Sequence, residues 1–83
     1  MNNELTKGAS ILVVDDNPAN LGVLYQFLSR GGYRVLASQD GESALEMAER
    51  EQPDLVLMDV MLPGEDGFAV CRRLQENSKT DQI

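Results

Sequence analysis

Three short runs of aliphatic and β-branched residues alternate along the chain with three longer stretches in which apolar residues recur every three or four positions. The runs are Ile11-Leu12-Val13-Val14, Tyr33-Arg34-Val35-Leu36-Ala37 and Leu55-Val56-Leu57-Met58. Short continuous runs of this kind fit strands of a parallel sheet. The third, with Pro53 before it and Pro63-Gly64 after it, reads as a buried strand covered on both faces.

The stretches between the runs read as helices. Leu21, Leu24, Phe27 and Leu28 space a helix over 18–30, with Asn17 as its cap, Pro18 at its first position, Gly31-Gly32 as its stop, and Leu21, Leu24 and Leu28 as its core stripe. A second helix opens at Asp40-Gly41 with Asp40 as cap, carries Ala44, Leu45, Met47 and Ala48, and ends at Gln52-Pro53. Glu42, Glu46, Glu49 and Arg50 form its solvent face. After a loop over Gly64-Glu65-Asp66-Gly67, a third helix places Phe68, Val70, Cys71 and Leu74 at helical spacing to about Glu76. Asn77 to Ile83 is a polar tail apart from Ile83, and residues 1–9 are expected to be a disordered lead-in.

Strand, helix, strand, helix, strand, helix is the order of right-handed crossover units. It implies an α/β fold, a flavodoxin-like doubly wound parallel sheet of which the chain holds the first three βα units in strand order 2-1-3.

Carboxylates interrupt this apolar pattern at two places. Asp15-Asp16 closes the first run, and Asp59 is set into the run Leu55 to Leu62. In the order 2-1-3 the first and third strands are neighbours, so Asp15, Asp16 and Asp59 meet at the carboxyl edge of the sheet, where open α/β sheets bind ligands. Two like charges 4 Å apart repel by about 4 kcal/mol at an effective dielectric of 20, so three such groups call for a cation. Mg²⁺ suits them, since it takes oxygen ligands at about 2.0–2.1 Å and is commonly shared with a phosphate. Softer metals find little to hold them in a chain without histidine whose one cysteine, Cys71, is remote from the acids. A carboxylate beside Mg²⁺ can also act as a nucleophile toward phosphorus, giving an aspartyl phosphate. The plainer alternative for Asp15-Asp16 is a pair of acids favoured near a helix N-terminus, and Pro63-Gly64 reads equally as a turn.

Val14-Asp15-Asp16 after a β-branched strand, together with Leu57-Met58-Asp59-Val60-Met61-Leu62-Pro63-Gly64 and Asp66-Gly67, resembles the receiver domain of two-component response regulators, from about residue 10 to the end. The resemblance implies that Asp59 is the phosphoacceptor, charged by a histidine kinase or a histidine phosphotransfer protein. It implies that Asp15, Asp16, Asp59 and the Met61 backbone carbonyl hold Mg²⁺, and that Pro63 and Gly67 shape the loop. Such a module catalyses its own phosphotransfer and dephosphorylation rather than turning over a substrate. The family's later Ser/Thr, lysine and aromatic switch positions have no counterparts here, so residues 10–83 are expected to be the N-terminal two-thirds of a receiver within a longer protein carrying an output domain or a hybrid kinase. A strand-3 edge left open at that point invites self-association.

Composition narrows the partners. With 7 Lys+Arg against 14 Asp+Glu the formal charge is −7, which argues against direct nucleic-acid or anionic-membrane binding and suits a cation or a basic partner. At 42% hydrophobic and 25% charged residues the chain has globular proportions, and 83 residues make one domain at most. A lone cysteine excludes an intramolecular disulfide, reads as a small core-facing hydrophobe and suits a reducing cytoplasm. No apolar run approaches the ~20 residues of a membrane span, and no targeting segment is visible. Two rival readings are a degenerate receiver used only for protein contacts, and a Mg²⁺ phosphohydrolase. The latter usually sets its acids as Asp-x-Asp, a pattern this chain lacks.

Overall fold

The structure, a computed structural model, describes residues 8–62 and 64–83; the expectations for residues 1–7 and for Pro63 lie outside them. The chain runs β1 (Ser10–Val14), α1 (Pro18–Arg30), β2 (Arg34–Ser38), α2 (Gly41–Glu51), β3 (Leu55–Met58), β4 (Met61–Leu62), β5 (Glu65–Asp66) and α3 (Gly67–Glu76). The main sheet is parallel in the order β2-β1-β3, with Ile11 aligned to Val35 and Leu55, and Val14 to Ser38 and Met58. This is the expected flavodoxin-like 2-1-3 arrangement. Gly8 and Ala9 already belong to the margin of the sheet: the Gly8 N–H donates to the Gly32 carbonyl at 3.3 Å, and the Ala9 carbonyl accepts from Arg34 at 2.8 Å.

β1 is central and buried along its whole length because it carries side chains to both faces. Its alternation divides the core in two. Leu12 and Val14 pack with Ala44, Ala48, Leu62, Val70 and Leu74 under α2 and α3. Ile11 and Val13 pack with Leu21 under α1, joined by the half-buried Leu24 and Leu28. Each fully buried aliphatic side chain contributes about 1.5–3 kcal/mol.

Local chemistry fixes the helix ends. Asn17 Oδ1 accepts from the Ala19 N–H at 2.9 Å, and Asp40 Oδ1 from the Ser43 N–H at 2.8 Å. Asp66, read from sequence as a loop residue, caps α3 by accepting from the Phe68 N–H at 2.8 Å. α2 stops on Gln52 in the left-handed region at φ 50°, before buried Pro53.

Four features depart from the sequence pattern. β3 is not covered on both faces: Leu55 and Leu57 are 48% and 38% exposed, because α1 packs over β1 and β2 and leaves the third strand open. Phe27 is exposed, lying about 90° around the helix from the centre of the Leu21, Leu24 and Leu28 stripe. Met61–Leu62 and Glu65–Asp66 form a short antiparallel ladder, Met61 opposite Asp66 and Leu62 opposite Glu65, where a plain loop is expected over Gly64 to Gly67. The polar tail folds back, so that buried Thr80 donates its hydroxyl to the Leu74 carbonyl at 2.6 Å and Ile83 packs against the α2–α3 core. A helix end leaves carbonyls without partners, and the Thr80 hydroxyl satisfies one of them. Among the described residues no helix is long and apolar enough to cross a membrane.

Candidate metal site at the carboxyl edge of the sheet

Asp15 and Asp59 are each the first residue beyond their strands, and the backbone ladder places both. The Asp15 N–H donates to the Ser38 carbonyl at 3.1 Å, and the Asp59 N–H donates to the Val14 carbonyl at 2.9 Å. Carboxylate oxygens of Asp15, Asp16 and Asp59 consequently lie within 4.8 Å of one another. Asp15 and Asp59 are half-buried and Asp16 is exposed. Beside them a cleft of about 280 Å³ opens between Asp15, Asp59, Leu24 and Leu57.

The individual carboxylates are held in orientation. Asp15 accepts the Asn17 N–H at 3.0 Å on Oδ1 and the Asn20 side-chain amide at 3.3 Å on Oδ2. Asn17 caps α1 as expected, and Asp15 and Asp16 stand directly before that helix N-terminus, where negative charge is favoured. Asp59 Oδ1 accepts the Met61 N–H at 3.1 Å. Met61 begins β4 and its side chain is exposed.

Gly67 seats that connection. Its N–H donates to the Val60 carbonyl at 2.8 Å. A Cβ on Gly67 would fall onto the Asp59 carbonyl oxygen and stand 2.8 Å from the Val60 Cα. Beyond the loop-shaping role that the resemblance implies, Gly67 is required by this approach of one backbone to another. Gly64 meets the other requirement, a left-handed turn at φ +73°.

The donor set suits a hard divalent cation, being all carboxylate oxygen. With their oxygens within 4.8 Å of one another, each ionised pair repels by at least about 3.5 kcal/mol at an effective dielectric of 20, before further screening at the exposed Asp16. A bound cation removes that repulsion.

A parallel 2-1-3 sheet with acids gathered at its switch point is the frame of a signalling receiver, and comparison with known proteins agrees. The family model of the response regulator receiver domain matches residues 11–83, and the chain belongs to that family. Response regulator PleD of Caulobacter vibrioides is 49% identical over 75 residues, which cover 90% of this chain and 16% of PleD. The receiver domain of the sensor histidine kinase PA1611 from Pseudomonas aeruginosa PAO1, solved with a magnesium ion coordinated in its active-site cleft, is similar at a TM-score of 0.85 and 38% identity, over 92% of this chain and 62% of that one. The solved complex of histidine kinase ThkA with response regulator protein TrrA contains a chain similar at a TM-score of 0.80 and 34% identity, over 86% of this chain and 61% of that one. The chain thus spans about a sixth of PleD and about three-fifths of these solved chains.

Proposed function

We propose that this receiver accepts a phosphoryl group from phosphohistidine onto Asp59, with Mg²⁺ held by Asp15, Asp16, Asp59 and the Met61 carbonyl. The observation that carries the reading is the approach of the three carboxylates to within 4.8 Å. In the transfer, an Asp59 carboxylate oxygen forms a bond to phosphorus as the phosphorus–nitrogen bond breaks, and the electron pair of that bond leaves with the imidazole of the donor. Mg²⁺, when bound, neutralises charge on the transferring oxygens. The protein's own part is positional: the β1–β3 ladder fixes the Asp59 backbone, the Met61 N–H fixes the turn of its carboxylate, and Asn17 and Asn20 hold Asp15.

The donor on this reading is a histidine kinase or a histidine phosphotransfer protein, and the chain serves an output domain or hybrid kinase. The ThkA–TrrA complex and the regulator PleD support this by similarity. The formal charge of −7 supports a module that does not bind nucleic acid or membrane directly, and a cytoplasmic setting accords with the free Cys71 thiol.

A second reading, protein contact without phosphotransfer, draws on exposed Val60, Met61 and Phe68 in and just after the Asp59 connection. Metal dependence separates the two. Titration of Mg²⁺ with backbone amide shifts recorded is expected to move Asp15, Asp16 and Asp59 saturably, and to do so weakly in Asp59→Asn and Asp16→Asn. A small phosphodonor is expected to leave a phosphoryl adduct in the intact mass that Asp59→Asn abolishes. Mg²⁺-independent behaviour with no adduct would leave the contact reading in its place.

A further inference from the structure

The cluster and its supports leave Glu65 without a role, yet its carboxylate occupies the space over Gly41 where a Cβ would sit. Glu65 lies on β5 and Gly41 is the first residue of α2, so the contact ties the hairpin that follows Asp59 to the connection between β2 and α2. That connection reaches the acids by a second route. The Ser38 carbonyl accepts the Asp15 N–H at 3.1 Å, and the Ser38 hydroxyl donates to the Asp40 carbonyl at 3.0 Å. Asp15 and Asp59 therefore stand at the two ends of one series of contacts that Glu65 closes.

The surroundings of Glu65 favour a fixed seat. Its side chain is 26% exposed, and Arg73 Nη1 on α3 lies 3.5 Å from Oε2. Arg73 Nη2 reaches Glu42 Oε1 at 3.2 Å, but Glu42 is 72% exposed. Negative charge is favoured at the first turn of a helix, where backbone N–H groups lack partners. Gly41 holds an ordinary helix-start backbone, so the feature a side chain there would disturb is Glu65.

We propose that Glu65 is a positioning residue whose seat on Gly41 fixes the separation of the Asp15 and Asp59 connections, and through it the affinity of the carboxylate cluster for a divalent cation. This rests on the metal reading above. Residues that support metal ligands from behind contribute about ten- to a hundredfold in affinity, and Glu65, acting through backbone, belongs at the low end.

The test is a Mg²⁺ titration followed by amide shifts in wild type, Glu65→Ala, Gly41→Ala and the double variant, with Glu65→Gln and Glu42→Ala beside them. The seat predicts about tenfold weaker binding in each of Glu65→Ala and Gly41→Ala, and a double variant no weaker than Glu65→Ala, because the methyl added on α2 then has room. Glu65→Gln keeps the shape and retains affinity, and Glu42→Ala leaves it unchanged. Wild-type affinity in a folded Glu65→Ala, or losses that multiply in the double variant, would overturn the proposal. Hydrogen exchange of the metal-free protein gives an independent readout: Glu65→Ala is expected to speed exchange of the Asp15 N–H, and unchanged exchange would also overturn it. If wild type showed no saturable Mg²⁺ shifts, the metal reading itself would fail, while the exchange rates would still report whether Glu65 holds the backbone.

Discussion

Gly67 approaches Asp59 so closely that a Cβ on it would overlap the Asp59 carbonyl oxygen, although eight positions separate the two in sequence. The hairpin of β4 and β5 folds back between them, and the Gly67 N–H closes it on the Val60 carbonyl. The start of α3 and the acid at the end of β3 thus share one piece of backbone packing. Gly67→Ala is expected to force that packing apart at a cost of about 1–3 kcal/mol, since both contacts are to backbone and neither can swing aside. Denaturant melts should show the loss, and amide shifts should place the largest changes at Asp59 and Val60. A variant as stable as wild type with an unmoved Asp59 would contradict the geometry.

The three carboxylates make a second prediction with an unusual sign. In metal-free protein, Asp59→Asn removes two of the three repelling pairs, and with solvent screening it is expected to raise stability by about 1 kcal/mol. For a domain of this size that corresponds to a rise of about 4–8 °C in melting temperature. Mg²⁺ at a hundred times its dissociation constant should stabilise wild type by about 2.7 kcal/mol and the variant far less. Thermal melts with chelator and with Mg²⁺ measure both, and a destabilised metal-free Asp59→Asn would mean that the acids do not strain the fold.

The parts of this arrangement that could be read from sequence are those set by neighbours in the chain. Asn17 and Asp40 are recognisable as caps because the N–H groups they accept lie two or three residues away. The meeting of Asp15, Asp16 and Asp59 was legible because the strand order alone makes β1 and β3 adjacent. The two-residue ladder of Met61 and Leu62 with Glu65 and Asp66 is too short to show a period of two. Thr80 carries no sign of burial, since its partner is a carbonyl left free by the end of α3. The seat of Glu65 on Gly41 spans 24 positions and depends on where α2 begins in space, so neither residue announces it.

Glu51 at the end of α2 gives a prediction in pH. The Arg50 side chain hydrogen-bonds its carboxylate at 3.0 Å, and together with the charges of Arg50 and Arg34 this outweighs partial burial and holds Glu51 below the ordinary carboxylate range. A folded-state value below the unfolded one means that the ionised form favours folding. The contribution is present above the unfolded value and is lost as pH falls through the folded value. Carboxyl resonances followed against pH should show the low midpoint in wild type and a larger upward shift in Arg50→Gln than in Arg34→Gln. Equal shifts would reverse the ranking of the two arginines.

The open side of β3 leads to a prediction about association. Among the described residues β3 is hydrogen-bonded to β1 alone, and its other edge runs between two clefts, one beside Leu57 and one lined by Leu55, Val56, Cys71, Leu74 and Ile83. A strand with unpaired backbone groups and aliphatic side chains on both flanks is a template for another strand. We expect the 83-residue chain to self-associate with rising concentration through this edge. Leu57→Lys sets a charge into the exposed face of the strand without touching β1, because Leu57 is 38% exposed while its partner Val13 is buried. Sedimentation of wild type and Leu57→Lys across a concentration series should show association in the first and its reduction in the second. A wild type that sediments as a monomer throughout would show that the edge is protected in solution.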